Sequence, residues 1–222
     1  MLYKTAVYFA ELVMDARTAQ YLRDFIKHDS EFLDGLEKSN RSRNDIQPMI
    51  EIEVGKFLVF LIQAKKIKSV LELGTSNGYS AIWMASALRK TGGKIITVEG
   101  HDRIFAEAEK NIAASGFGDI IELYHGKAEA KVAELIEKGE KFDLIFQDCG
   151  KYLYPMLLES TVKLCKKGGI IAADDSLFRV TETVRSGLGD YTHDYNRAVF
   201  AHKKLFSTIL PIGHGLTISL KL

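Results

Sequence analysis

Residues Val70-Leu71-Glu72-Leu73 read as a short strand that runs directly into Gly74-Thr75-Ser76-Asn77-Gly78 and then into the helix-like Tyr79-Ser80-Ala81-Ile82-Trp83. A strand, a glycine turn and a helix in immediate succession constrain the chain to the open α/β class, in which such a turn sits at the carboxyl edge of a parallel sheet. The spacing is Gly-x-x-x-Gly. A dinucleotide loop needs Gly-x-Gly-x-x-Gly so that backbone can press against a pyrophosphate, and the middle position here is Ser76. The loop therefore suits an adenosine cofactor without phosphates.

From residue 69 onward, short β-rich runs alternate with longer helical stretches, the pattern of a parallel sheet with crossover helices. The runs 69–73, 94–99, 120–124, 142–148 and 169–174 predict strands, and 79–90, 102–114, 127–139 and 153–166 predict helices. Leu205–Leu210 and Leu216–Leu220 are separated only by Pro211-Ile212-Gly213-His214-Gly215, a link short enough to demand an antiparallel hairpin. Five parallel strands and a terminal hairpin form the inventory of the S-adenosylmethionine-dependent variant of the doubly wound, Rossmann-like fold, with a mostly parallel seven-stranded sheet. Before it, Leu22, Phe25, Ile26 and Phe32, Leu33, Leu36 recur at helical spacing, and a helix is expected over about 51–64. We expect one domain, 1–222, with residues 1–64 as a helical cap on a core of 65–222.

The apolar fraction of 46% and charged fraction of 27% are those of a globular protein, and the formal net charge is +1. No strongly basic field is present to grip phosphate backbones. The chain has no apolar run long enough to span a bilayer and no signal-peptide pattern, so a cytoplasmic protein is expected. Cys149 and Cys165 provide neither a disulfide framework nor zinc spacing. Cys149 lacks a histidine partner and Cys165 falls late in a helix, so both read as structural.

The strand ends carry the chemistry. Gly74 and Gly78 allow the tight turn, the following helix N-terminus aims N–H groups at a carboxylate, and Ser80 adds a hydroxyl. Glu72 would accept from the ammonium of S-adenosylmethionine. Glu99, closing the second strand, would accept from the ribose hydroxyls. An adenine contact is expected from His125-Gly126-Lys127-Ala128 after the third strand, so Gly126 and Ala128 join the candidates on position. A nicotinamide dinucleotide also uses an acid after the second strand, but Ser76 and the hairpin weigh against it. Taken singly, the glycines also fit a plain turn, and the acids also fit solvated strand ends.

Two further strands end in acid, at Asp148 and at Asp174-Asp175. If these strands are neighbours, three carboxylates converge beside the cofactor. Such a cluster repels itself unless protonated or neutralised, and a hard divalent cation is the usual resolution. Magnesium is favoured, with manganese or calcium as alternatives. The competing reading has Asp148 orient the sulfonium end while Asp174-Asp175 merely opens a loop. Lys151, three residues past Asp148, is the candidate for taking a hydroxyl proton, or else a solvated surface lysine. His193 and His214 are candidate pocket residues, although a lone histidine is more often structural.

These residues resemble the cation-dependent O-methyltransferases related to catechol and caffeoyl-CoA O-methyltransferases. The likeness is carried by Val70-Leu71-Glu72-Leu73-Gly74 with Gly78-Tyr79-Ser80, by Ile96-Thr97-Val98-Glu99, by Asp148 with Lys151 and Tyr154, by Gly168-Gly169 through Asp174-Asp175, and by Asn196 with Leu210 to Leu216. It runs from about Pro48 to Leu222; the first 47 residues match only as helices. The resemblance implies that Asp148, Asp174 and Asp175 bind the cation and that Lys151 assists deprotonation. It also implies that Glu72, Ser80, Glu99, Ala128 and the segment around Ile50 line the cofactor site, that Phe178–Tyr195 faces the acceptor, and that the protein is a homodimer. Three positions depart from the pattern: Asp175 stands where relatives commonly have asparagine, Gly150 where they have an acid or a bulky residue, and His214 where many have aspartate.

The expected activity is methyl transfer from S-adenosylmethionine to a hydroxyl of a small aromatic, catechol-like acceptor on a divalent cation. A transfer RNA 5-hydroxyuridine acceptor, gripped by a patch of Lys65, Lys66, Lys68, Arg41 and Arg43, is the alternative within the family. A non-catalytic cofactor-binding scaffold is the alternative outside it, and it requires none of Asp148, Lys151, Asp174 or Asp175.

Overall fold

The computed structural model describes residues 16–28, 30–46, 49–181 and 187–222. Its elements run α1 (Ala16–Phe25), α2 (Glu31–Arg41), α3 (Ile52–Ala64), β1 (Ser69–Leu73), α4 (Tyr79–Thr91), β2 (Lys94–Glu99), α5 (Asp102–Ser115), β3 (Ile121–His125), α6 (Ala128–Glu137), β4 (Phe142–Gln147), α7 (Leu153–Leu164), β5 (Cys165–Ala173), α8 (Leu188–Ala201), β6 (Leu205–Leu210) and β7 (Leu216–Lys221). The seven strands order as β3-β2-β1-β4-β5-β7-β6. β1 to β5 are parallel; β7 pairs antiparallel with β6, as the short hairpin link required, and also antiparallel with β5.

Strand residues alternate between two cores. Val70, Leu144, Phe146, Ile170 and Ala172 face the layer made with α2 to α5, while Leu71, Leu73, Ile145, Ile171 and Ala173 face the layer made with α6 to α8. α4 is buried along nearly all its length because it lies between the sheet and α3. That close approach uses Gly55, where a Cβ would stand 3.0 Å from the Trp83 ring. α2 starts at Ser30, whose hydroxyl accepts the Leu33 N–H at 3.3 Å, and carries Glu31 and Asp34 in its first turn and Lys38 and Arg41 in its last, the polarity a helix dipole favours.

The strand order reverses between β1 and β4, so their carboxyl ends flank the crevice in which open α/β sheets hold ligands. Gly74 follows β1 and Asp148 follows β4 at that crevice.

Two expectations need correction. Cys165 is not late in a helix: α7 stops at Leu164, and β5 begins at Cys165 before the left-handed Gly168 (φ 73°) and rejoins the ladder at Ile170. The thiol remains buried, as a structural role required. α8 was not anticipated. It occupies much of the expected acceptor-facing segment, with Thr192, Tyr195 and Val199 buried at helical spacing.

Candidate active site

The glycine loop is built from backbone. The N–H groups of Gly74 and Thr75 both reach Val98 O at 3.1 Å, and Gly78 N–H closes onto Thr75 O at 3.0 Å. Gly74 has φ 102°, and a Cβ there would meet Asp148 O at 2.3 Å. Only glycine fits a loop pressed against the end of β4 in this way. Ser76 takes a left-handed φ of 47°, so the middle position keeps a turn conformation while carrying a side chain where a dinucleotide loop has none.

Glu99 ends β2 with both oxygens engaged: Oε2 accepts Ser76 N–H at 2.9 Å and Oε1 accepts His101 N–H at 2.8 Å. Each oxygen keeps a second lone pair for a hydroxyl. Glu72 is fully buried. Its Oε2 accepts Thr97 Oγ1 at 2.5 Å, and Thr97 in turn lies 2.6 Å from Thr75 Oγ1, so Thr75 donates to Thr97. Glu72 Oε1 has no partner within the chain. Burial pushes the Glu72 carboxyl up to about 8, against the pull of Ser80 and Thr97 and with the push of Asp148 and Glu99. An orphaned, buried carboxylate oxygen in this crevice fits a ligand bearing an ammonium group.

The remaining cofactor candidates are spread around this loop. Gly126 (φ 150°) donates its N–H to Glu99 O at 2.9 Å, and Ala128 is buried at the start of α6. Ser80 is buried in the first turn of α4. Ile50 is buried in the core shared by the cap and the sheet.

On the other side of the crevice, the β4–β5 register sets Gln147 against Ala173, so Asp148 and Asp174 follow side by side. Their N–H groups donate to Leu73 O (2.9 Å) and Gln147 O (3.0 Å), holding both acids in the sheet's frame. Carboxylate oxygens of Asp148, Asp174 and Asp175 all lie within 4.8 Å of one another. Lys151 Nζ stands between them, 2.9 Å from Asp148 Oδ1 and 2.8 Å from Asp175 Oδ2, and 2.9 Å from Tyr154 Oη. It is therefore not a surface lysine. Tyr154 Oη meets Gln147 O (2.8 Å) and Asp174 O (3.1 Å), pinning the ends of both strands.

The charges in this cluster conflict. Burial, then Asp175 and Asp148, push the Asp174 carboxyl well above the usual range, and its Oδ1 has no partner. Burial pushes Asp148 up to about 6 although Lys151 pulls it down. Asp175 is also pushed up by burial, but the His214 hydrogen bond and Lys151 outweigh it and hold this carboxyl low. Lys151 is penalised by burial yet held well above its ordinary value by Tyr154 and the three carboxylates. The donor set and the orphaned Asp174 Oδ1 fit a hard divalent cation.

His214 comes to Asp175 through the terminal hairpin. Gly215, with φ 93° and no Cβ to strike Leu177, lets its carbonyl take Ser176 N–H at 2.9 Å while His214 O takes Leu177 N–H at 2.9 Å. His214 Nδ1 then lies 3.3 Å from Asp175 Oδ1, and its ring packs on Phe178 at 5.7 Å. Asn196 ties the same loop to β7, donating to Ser176 O (2.7 Å) and accepting from Thr217 Oγ1 (2.8 Å). His193 is exposed on α8 and outside the cluster, and Arg179 pairs with Asp190. Arg185 lies outside the described residues. Burial pushes the Cys149 thiol up to about 12, which leaves it unreactive.

A model of the O-methyltransferase family matches residues 24–222, reaching back across α2 beyond the motifs read above. Catechol O-methyltransferase of Niastella koreensis is 36% identical over 158 residues, covering 70% of this chain and 70% of that protein. Caffeoyl-CoA O-methyltransferase 1 of Eucalyptus globulus is 30% identical over 175 residues, covering 74% of this chain and 71% of that one. The crystal structure of the Bacillus cereus O-methyltransferase in complex with SAH superposes with a TM-score of 0.82 at 25% identity, over 93% of this chain and 97% of that one. The chain belongs to the O-methyltransferase family and is an S-adenosylmethionine-dependent O-methyltransferase.

Proposed function

We propose that the enzyme methylates one hydroxyl of a small aromatic diol held on a divalent cation by Asp148, Asp174 and Asp175. The observation that carries this reading is the buried acid cluster beside the glycine loop, with Asp174 Oδ1 unpartnered and Asp148 O backing directly onto Gly74. A bound cation would supply charge that lowers a coordinated hydroxyl's pKa, with magnesium the best match to an all-carboxylate set. Glu72 Oε1 would hold the cofactor's ammonium, Glu99 its ribose, and the loop at Gly126 and Ala128 its adenine. Lys151 keeps its proton because Asp148 and Asp175 lie against it. A cation shared by those carboxylates would weaken their hold on the ammonium, so that Lys151 could give up its proton to solvent and, as the neutral amine, take the hydroxyl proton. Direct displacement at the methyl group needs no covalent enzyme intermediate, so fixed orientation within the crevice supplies much of the acceleration.

Charge placement favours a small acceptor over RNA. Lys65, Lys66 and Lys68 lie between α3 and the start of β1, at the end of the sheet opposite the acids. Arg41 pairs with Glu37, and Arg43 with Asp45 and Glu107. No helix is long and apolar enough to cross a membrane among the described residues. The unpaired cysteines suit a reducing cytoplasm, and exposed Tyr21 and Phe25 on α1 suit a homodimer contact through the cap, testable by sedimentation.

The deciding experiment is calorimetry with S-adenosylhomocysteine, then methyl transfer to a catechol panel and to hydroxylated transfer RNA, with and without magnesium. Magnesium-dependent transfer to a catechol is expected. Full activity in excess chelator removes the cation role, and exclusive transfer to RNA removes the acceptor class.

A further inference from the structure

The glycine loop is fastened from outside the sheet as well as from within it. Asn77, almost fully buried, donates Nδ2 to Asn40 Oδ1 on α2 at 2.7 Å, and its main-chain carbonyl accepts Asn111 Nδ2 on α5 at 2.9 Å. Asn40 is itself buried, and its Nδ2 reaches Met49 Sδ at 3.4 Å, next to Ile50. One buried amide therefore touches the Gly74–Gly78 loop with one end and the 49–50 segment with the other. Asparagine is a weak helix former, and a buried amide is costly unless its groups are paired. Packing alone would favour an apolar residue there.

The rim of the same region is tied by ion pairs: Arg43 with Glu107, Arg43 with Asp45 at 2.8 Å, and Asp45 with Arg103 at 2.6 Å. These side chains are a quarter to a half exposed, so water screens them and they fix geometry poorly. The buried amide pair is the stiffer link.

We propose that Asn40 is a positioning residue for the methyl donor: by accepting from Asn77 it holds the glycine loop and the Ile50 segment in the mutual register that the adenosyl group requires. α2 is then part of the donor site and not only a cover over the core. This rests on the S-adenosylmethionine reading above, and Asn40 acts through Asn77 without touching the reacting atoms.

The test is calorimetry with S-adenosylhomocysteine and thermal melting on the wild type, Asn40→Leu, Asn77→Ala, their double variant and Arg103→Gln. Asn40→Leu is expected to bind at least about tenfold more weakly, and the double variant no more weakly than the poorer single one. Arg103→Gln, which loosens the same segment from its exposed rim, is expected to stay within about twofold. In steady state, Asn40→Leu raises KM for S-adenosylmethionine and leaves the acceptor KM unchanged. Asn40→Ser serves in the same comparison if the leucine variant does not fold. A lowered melting temperature with unchanged affinity makes Asn40 merely structural and overturns the proposal, as do losses that add in full in the double variant. Failure of the wild type to bind overturns the donor reading and this inference together, which is distinguishable from equal binding by wild type and variant.

Discussion

The two sides of the crevice are prepared in opposite ways. On the β1–β2 side, loop N–H groups rest on Val98 O, Glu99 has both oxygens on main-chain donors, and a threonine pair leads to Glu72. On the β4–β5 side, three carboxylates crowd a single lysine and one buried carboxylate oxygen, Asp174 Oδ1, is left without a partner. The first side is organised by backbone and asks its ligand chiefly for shape. The second is electrostatically frustrated and asks its ligand for positive charge. Glu72 is the exception on the first side, a buried acid that also waits for a cation, here an ammonium.

The strongest challenge to this contrast is removal of the acids. Asp148→Ala is expected to reduce methyl transfer by about a thousandfold or more, the scale of losing a preorganised electrostatic stabiliser. Excess chelator should act on the wild type to a similar extent. Binding of S-adenosylhomocysteine should change far less in Asp174→Ala, measured by calorimetry; equal losses in donor affinity and turnover would show that the two sides are not separable. Lys151→Met is expected to lower kcat by about a hundredfold or more with donor affinity retained, the range of general-base loss. Next in size, Glu72→Gln should weaken S-adenosylhomocysteine by about tenfold to a hundredfold, the worth of a charge-assisted hydrogen bond.

How much of this was legible differs between the two sides for a physical reason. The period-two strands, the glycine turn and the acids closing each strand are local signals, and parallel register turns strand-end positions into neighbours, so Asp148 and Asp174 were placed together correctly. The long-range partners had no local signature. Asn40 and Asn77 meet across 37 positions, and His214 reaches Asp175 only because the hairpin folds back over Leu177. α8 did carry a signal, since Thr192, Tyr195 and Val199 recur at helical spacing, but Gly187 and Gly189 at its start obscured it. Gly189 is there because α8 meets Arg179 backbone closely, at 2.8 Å from where a Cβ would stand. The helix-to-strand change at Cys165 is hidden in the sequence because α7 and β5 abut without a linker, leaving no punctuation to read.

Acidity separates the two sides further. The raised carboxyls, Glu72 (about 8), Asp148 (about 6) and Asp174 (well above the usual range), have folded values above unfolded ones. Their contribution to stability is therefore fully present below pH about 4 and is lost as pH climbs through the folded values. Asp143, Asp175, Glu37 and Glu107 are held low and act in the opposite sense, losing stability only as pH falls through the carboxylate range. The ligand-free enzyme is thus expected to melt at progressively lower temperature between pH about 5 and 8, and magnesium should flatten the part due to Asp148 and Asp174. Glu72→Gln should lessen the slope across that whole window, since its carboxyl is raised from the ordinary range up to about 8. A melting temperature that rises across this window in the wild type would contradict the burial of uncompensated acids on either side.

The smallest effect tests whether the donor side is as well organised as the geometry implies. Thr97→Val removes the hydroxyl that donates to Glu72 Oε2 and leaves Ser80 as the remaining hydroxyl that favours the charged form, so the Glu72 pKa rises further. At pH about 7 a smaller fraction is then ionised to meet the ligand's ammonium, and S-adenosylhomocysteine should bind about threefold to tenfold more weakly, the scale of one neutral hydrogen bond. At pH about 9 most of the wild-type Glu72 is ionised and a far larger share of the variant's is than at pH about 7, so the gap should narrow, which calorimetry at the two values measures. The folded backbone of the loop does not depend on this hydroxyl, since Gly74 and Thr75 hang on Val98 O. A loss that persists unchanged at high pH would instead mean that Thr97 shapes the loop itself, moving the donor side's organisation from its backbone to its side chains.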